Sequence, residues 1–100
     1  MVQFALLVRL KAKPGKEQAV QDFIAGALPL ALEEPFTKTW YAIKIDSDTF
    51  GIFDTFQDES GREAHLAGKI AAALMANASE LLAVDPVIEK VEVLAAKTSH

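Results

Sequence analysis

The chain has 100 residues, 51% of them hydrophobic, a formal net charge of −4 and no cysteine. That length fits one domain, 1–100, and the composition excludes a disulfide framework or thiolate chemistry and, with no basic stripe, disfavours a nucleic-acid partner. A body this small buries only roughly 60–65% of the surface its unfolded chain exposes, so its apolar excess needs a second surface, and a homo-oligomer is the first inference.

The opening run MVQFALLVRL is too short an apolar span to cross a bilayer. It also lacks the charged start and cleavage site of a signal peptide, so no membrane association and a cytoplasmic location are expected. Val2 to Leu10 reads as a strand with Phe4, Leu6, Val8 and Leu10 on one face and Ala5 and Leu7 on the other. Apolar residues on both faces mark a strand covered on both sides. Lys13-Pro14-Gly15 breaks it. A helical period follows from Lys16, with Ala19, Val20, Phe23, Ile24, Ala27 and Leu28 at threes and fours. Pro29 makes that helix kink or restart, and Pro35 stops it at Glu34.

Thr37 to Ile45 and Thr49 to Phe56 are β-rich runs around the polar Asp46-Ser47-Asp48, a hairpin signal. Ser60 and Glu63 have the spacing of a capping box. A helix is predicted from there to about Leu82, with Gly68 as a break point, and Asp85-Pro86 ends it. Val87 to Leu94 is the last strand; the core spans about 2–95 and the residues after it form a tail. The order β-α-β-β-α-β yields a ferredoxin-like α+β fold, a four-stranded antiparallel sheet with the helices on one face. Because the first and third strands are apolar on both sides, the free face is expected to meet a second copy, giving a homodimer through the sheet faces.

If Ile45 pairs with Thr49, the hairpin register sets Trp40 opposite Asp54 and Tyr41 opposite Phe53. Trp40, Phe50, Ile52, Asp54 and Phe56 then share a face; a one-residue change in loop length sends Trp40 to the other. A carboxylate among aromatics has its pKa raised by desolvation, which suits Asp54 to proton transfer. The structural alternative pairs it with Lys44, Arg9 or a loop amide. His65 is the internal histidine and the candidate base. On one unbroken helix, however, Leu66, Ile70 and Leu74 form the apolar stripe and His65 points away beside Lys69. It reaches a pocket only if the helix breaks near Gly68; otherwise it is exposed or structural. Phe36, Trp40, Tyr41, Phe53 and Phe56 could wall a site for a flat aromatic ligand, or be plain core. The serines sit in turn, cap or tail contexts without a nucleophile elbow. Two histidines, one of them terminal, build no metal site, and no phosphate loop or dinucleotide fingerprint is present.

Taken together, K-P-G after the first strand, E-P before the W-Y strand, T-F-G-I-F-D-T-F, and E-A-H-L before an alanine-rich helix resemble the small antibiotic biosynthesis monooxygenase domain, the group that includes bacterial quinol monooxygenases. The resemblance runs from about Phe4 to Leu94 and is most specific from Trp40 to Leu66. It implies a dimeric α+β barrel with a pocket between each sheet and its own helices. It also implies oxidation of quinol-like or polycyclic phenolic substrates by molecular oxygen with no cofactor: deprotonated substrate reduces oxygen itself, while the protein supplies a base, an apolar wall and exclusion of water. On this resemblance His65 is the histidine of the A-H motif, Trp40 the strand aromatic and Asp54 the acid of the F-D strand. Phe36 stands where similar chains have glycine, which puts substrate size in question. A haem-degrading branch has an asparagine on the first strand where the amide here is Gln3, so haem is disfavoured. The alternatives are a non-catalytic dimer binding a small aromatic ligand or serving a stress response, and an isomerase.

Overall fold

A computed structural model describes residues 4–98. Val2 and Gln3, read as part of the first strand, and Ser99 and His100, read as tail, lie outside the described residues. The elements are β1 (Phe4–Lys11), α1 (Glu17–Ala25), α2 (Leu28–Leu32), β2 (Thr37–Asp46), β3 (Thr49–Phe56), α3 (Glu59–Leu66), α4 (Lys69–Leu81) and β4 (Val87–Glu92). The strands form one sheet in the order β2-β3-β1-β4, antiparallel throughout. This is the α+β, ferredoxin-like fold expected from the order of elements, with each crossover helix divided in two.

Local chemistry explains the divisions. The Lys13-Pro14-Gly15 turn uses Gly15 at φ 85°, a left-handed conformation that side chains with a Cβ resist. Pro29 sits in the first turn of α2, where its missing N–H costs nothing, so the predicted kink is a restart. Ala19 and Leu28 of the predicted stripe are exposed, and Val20, Ile24 and Ala27 are buried. The break at Gly68 is complete: α3 ends at Leu66, Gly68 is extended, and α4 begins at Lys69. Ser60 does not cap α3. The cap is Asp58, whose Oδ1 accepts from the Gly61 N–H at 2.9 Å and from the Ser60 hydroxyl at 2.7 Å. An aspartate two residues earlier satisfies the same exposed amides, so the capping box is not formed. β4 ends at Glu92, two residues short of the predicted Leu94.

In the hairpin, Asp46 pairs with Thr49 around a two-residue turn, and an irregularity between Lys44 and Asp46 absorbs Ile45. The expected three-residue loop is therefore a tighter turn plus a bulge. The count is the same above it: Trp40 stands opposite Asp54 and Tyr41 opposite Phe53. Side chains alternate along each strand, and Leu6, Val8, Leu10, Phe50, Ile52 and Phe56 face the helices. Val8, Leu10, Phe50 and Ile52 meet Val20, Ile24, Leu74 and Leu82 in the main core. A smaller cluster of Ala27, Ala31 and Ile70 joins it through Trp40, which packs on both. Phe50 and Phe56 are almost wholly enclosed, each worth about 1.5–3 kcal/mol of apolar burial. The other sheet face leaves Tyr41, Ile43 and Val87 partly in the open. Among the described residues no helix is long and apolar enough to cross a membrane.

Candidate active site

Arg62 fixes the site before any catalytic group is considered. Its guanidinium donates to the carbonyls of Ala5 on β1 (3.2 Å) and Val91 on β4 (3.3 Å). It is gripped by both Glu59 oxygens and lies over the Phe4 ring at 5.2 Å. This ties α3 down onto the sheet. One turn later on the same helix face, at i+3, comes His65. It is thereby held over Asp54 of β3.

The imidazole is clamped between two acids. Nδ1 lies 2.7 Å from Glu34 Oε1, and Nε2 lies 2.8 Å from Asp54 Oδ2. The Thr37 hydroxyl donates to the same Glu34 oxygen at 2.6 Å. Asp54 is completely enclosed and His65 nearly so, at 0% and 5% exposure. The Nε2 contact is within ion-pair range but is not a well-aligned hydrogen bond, and Oδ1 has no hydrogen-bond partner among the described residues. The Trp40 indole N–H is likewise buried without a partner. Phe56 packs against the imidazole with ring centroids 5.3 Å apart.

Electrostatics follow from this enclosure. Burial pushes the Asp54 pKa above its ordinary value, the bond and charge of His65 only partly offset that, and the Glu34 charge adds to it. For His65 burial acts downward, but Asp54 and then Glu34 outweigh it and the pKa is raised. Each shift favours the protonated form of its group. Both ring nitrogens are occupied, so the histidine presents its ring edge and face, not a free lone pair, to any ligand.

Three spaces surround these residues. His65, Leu6, Val8, Ile52, Leu66 and Ile70 border an apolar cavity of about 30 Å³, the volume of a single water. Glu34, Thr37, Thr39 and Trp40 line a recess of about 180 Å³ beside α2. On the other side of Glu34, Leu30, Phe36 and Gly68 line a further recess of about 220 Å³. A cavity of about 150 Å³ is the scale that holds one benzene ring, so the Trp40 recess has room for a ring and the space against His65 does not.

The site residues read from the sequence thus divide by strand alternation. His65, Asp54, Trp40 and Phe56 come together on the helix side. Phe36 borders the far recess, separated from Trp40 by Glu34. Tyr41 and Phe53 lie on the opposite sheet face, where with Thr39, Thr55 and Val93 they line a recess of about 250 Å³ under the C-terminal segment. They are cross-strand partners one residue out of phase with Trp40 and Asp54, and a one-residue step in a strand reverses direction. Nor is Asp54 paired with Lys44, Arg9 or a loop amide: Arg9 pairs with Glu89, and the partner of Asp54 is His65. Glu34 and Arg62 were missed. The E-P dipeptide marks Glu34 as a helix stop and gives no sign of its reach to His65, and Arg62 has only its i+3 spacing to the histidine as a signal. Among the described residues no group of three metal-ligating side chains is arranged around a common centre.

The chain matches no family model and no curated protein sequence. Among solved structures it is similar to the NE2512 protein of unknown function from Nitrosomonas europaea, with 60% identity over 100% of this chain and 97% of that one and a TM-score of 0.96. It also superposes on PA3566 from Pseudomonas aeruginosa (18% identity, 95% of this chain and 97% of that one, TM-score 0.81). An antibiotic biosynthesis monooxygenase superposes with TM-score 0.78 at 13% identity, over 92% of this chain and 99% of that one. At such low identity these last two show a shared fold. The chain belongs to the same family as the Nitrosomonas europaea protein, and its fold is that of the antibiotic biosynthesis monooxygenases.

Proposed function

We propose that the protein is a monooxygenase that needs no cofactor and oxidises a quinol-like or polycyclic phenolic substrate with molecular oxygen. The observation that carries this reading is the buried Asp54–His65 pair beside the indole of Trp40. A buried carboxylate whose pKa is raised is a stronger base than an ordinary one, which suits Asp54 to take a proton from a phenolic hydroxyl. The resulting phenolate is electron-rich enough to reduce oxygen; one oxygen atom enters the product and the other leaves as water. Trp40 and Phe56 supply the aromatic wall, and the enclosed setting keeps bulk water from the reactive anion. The shared fold of a named antibiotic biosynthesis monooxygenase supports the reading. So does the exposed apolar face carrying Tyr41, Ile43 and Val87, on which a second copy packs in the homodimer that belongs to this proposal.

The occupied nitrogens of His65 favour a second reading, a dimeric protein that binds a small aromatic molecule without turning it over. Oxygen uptake with a panel of quinols and anthrones separates the two. The oxygenase reading predicts uptake that falls at least about tenfold in His65→Gln, in line with the usual contribution of acid–base groups. Quenching of Trp40 fluorescence with no uptake on any panel member would instead establish the binder.

A further inference from the structure

The four helices are held to the sheet unequally. Val20 and Ile24 anchor α1 in the main core, and Leu74 anchors α4 there while Ile70 sits in the smaller cluster. Arg62 ties α3 to the carbonyls of β1 and β4. α2 has no anchor of either kind. It is five residues long, lacks a side-chain cap and fully buries only Ala31. Leu28 and Leu32 are 45% and 76% exposed. Beneath it Ala27 and Ala31 offer one methyl each to the smaller cluster, much less burial than a leucine or phenylalanine provides. Open space borders the helix as well: Leu28, Ala31 and Leu32 line the recess at Trp40, and Leu30 lines the recess at Phe36.

Its backbone bonds stay local. Leu30 and Ala31 donate to the Ala27 carbonyl, Glu33 to Leu30, Glu34 to Ala31 and Thr37 to Glu34. Among the described residues, the one hydrogen bond or ion pair joining residues 28–36 to a distant element is Glu34 Oε1 with His65 Nδ1, at 2.7 Å. Thr37, at the start of β2, donates to the same oxygen. Turns at Gly26–Ala27 and Pro35–Phe36 bound the segment. An element with few buried apolar contacts and one strong polar tie opens locally while the rest of the molecule stays folded.

We infer that α2 is a lid over Trp40, latched shut by Glu34 on His65, and that its opening is the route to the enclosed side of the site. Trp40 packs against the Ala27, Ala31 and Ile70 cluster, so α2 is part of its cover. Asp54 is 0% exposed and the cavity at His65 is the size of one water. No ring reaches either residue while the cover is closed. The reading under Proposed function supplies only what enters; the lid itself rests on packing and on the latch. Glu34 acts through His65 and needs no contact with a ligand, so it is a positioning residue.

Amide hydrogen exchange followed by NMR tests the lid without requiring turnover. In native protein the amides of Leu30, Ala31 and Glu33 should exchange at least about 100-fold faster than the inner amides of α4. Glu34→Ala removes the latch and should speed those three amides about tenfold more, the scale of one charged hydrogen bond, with the inner amides of α1 and α4 within about twofold. Trp40 is the single tryptophan, so acrylamide quenching of its fluorescence reads the same opening, and its quenching constant should rise at least about twofold in Glu34→Ala. Thr37→Val removes only the second partner of Glu34 and should give about a threefold acceleration; it decides the matter if Glu34→Ala does not fold. Native α2 amides as protected as those of α4 overturn the lid. So does unchanged exchange in the latch variants, acceleration shared equally by α1 and α4, or faster α2 exchange with Trp40 quenching unaltered. A latch-dependent opening in a protein that consumes no oxygen upholds the lid and removes the oxygenase reading. A rigid α2 in a protein that does consume oxygen removes the lid alone.

Discussion

Asp54 and His65 tie the protein's stability to pH in a direction opposite to ordinary acid denaturation. His65 has a raised pKa in the folded state, so its contribution is fully present below about pH 6.5, the ordinary value, and is lost as pH rises through the raised one. Asp54 has a raised pKa too. The folded state holds its proton more tightly than the unfolded chain does, so stability again falls as pH rises from the ordinary carboxylate value through the raised one. Both shifts therefore act in the same sense. Thermal melts from roughly pH 6 to pH 9 should show the melting temperature of native protein declining above about pH 6.5. In His65→Gln the slope over that window should flatten; an identical slope in the two proteins would contradict the paired assignment. Glu34→Gln keeps the hydrogen-bonding shape and removes one of the two charges that raise His65, so an imidazole titration followed by proton NMR should move to lower pH in that variant.

The interruption between α3 and α4 is the element on which the site depends. Gly68 is extended there, and a Cβ added to it would meet Glu34 Oε2 at 3.2 Å and the His65 carbonyl at 3.2 Å. Glu34 cannot yield freely, because His65 and Thr37 both hold it. Gly68→Ala should therefore destabilise by about 1–2 kcal/mol in urea unfolding and lower the His65 titration midpoint; a stabilised variant with His65 unchanged would refute this packing. At the other end of α3, Asp58→Ala should lower the melting temperature more than Ser60→Ala does, because Asp58 holds the cap. Much of this architecture was legible in the sequence. Proline and glycine positions set the element ends, and strand alternation with the 40–54 register set Trp40 beside Asp54. What was not legible came from distance in the chain: Glu34 lies 31 residues before His65, and no local pattern reports that a helix stop and a helix end will meet. Tyr41 and Phe53 stand apart from Trp40 by the strand period, which sends alternate side chains to opposite faces.

For the whole molecule, two features are unexplained by the single chain: the apolar outer sheet face and a hydrophobic content high for its length. The proposed homodimer accounts for both. Static light scattering at micromolar concentration should give twice the chain mass, and Ile43→Glu, which places a charge in the centre of that face, should give the monomer mass. A native monomer at that concentration would contradict the dimer while leaving the chemistry of the helix side untouched. The central claim concerns that helix side, where an enclosed acid paired with His65 is proposed to remove a proton so that the substrate itself can reduce oxygen. The direct test is an oxygen-electrode comparison of native protein and Asp54→Asn, both dialysed against chelator, on a polycyclic phenol such as an anthrone. Uptake by native protein that falls about 100-fold or more in Asp54→Asn is the predicted result; an undiminished rate in Asp54→Asn, or no uptake by the native protein on any phenol or quinol tried, would contradict it.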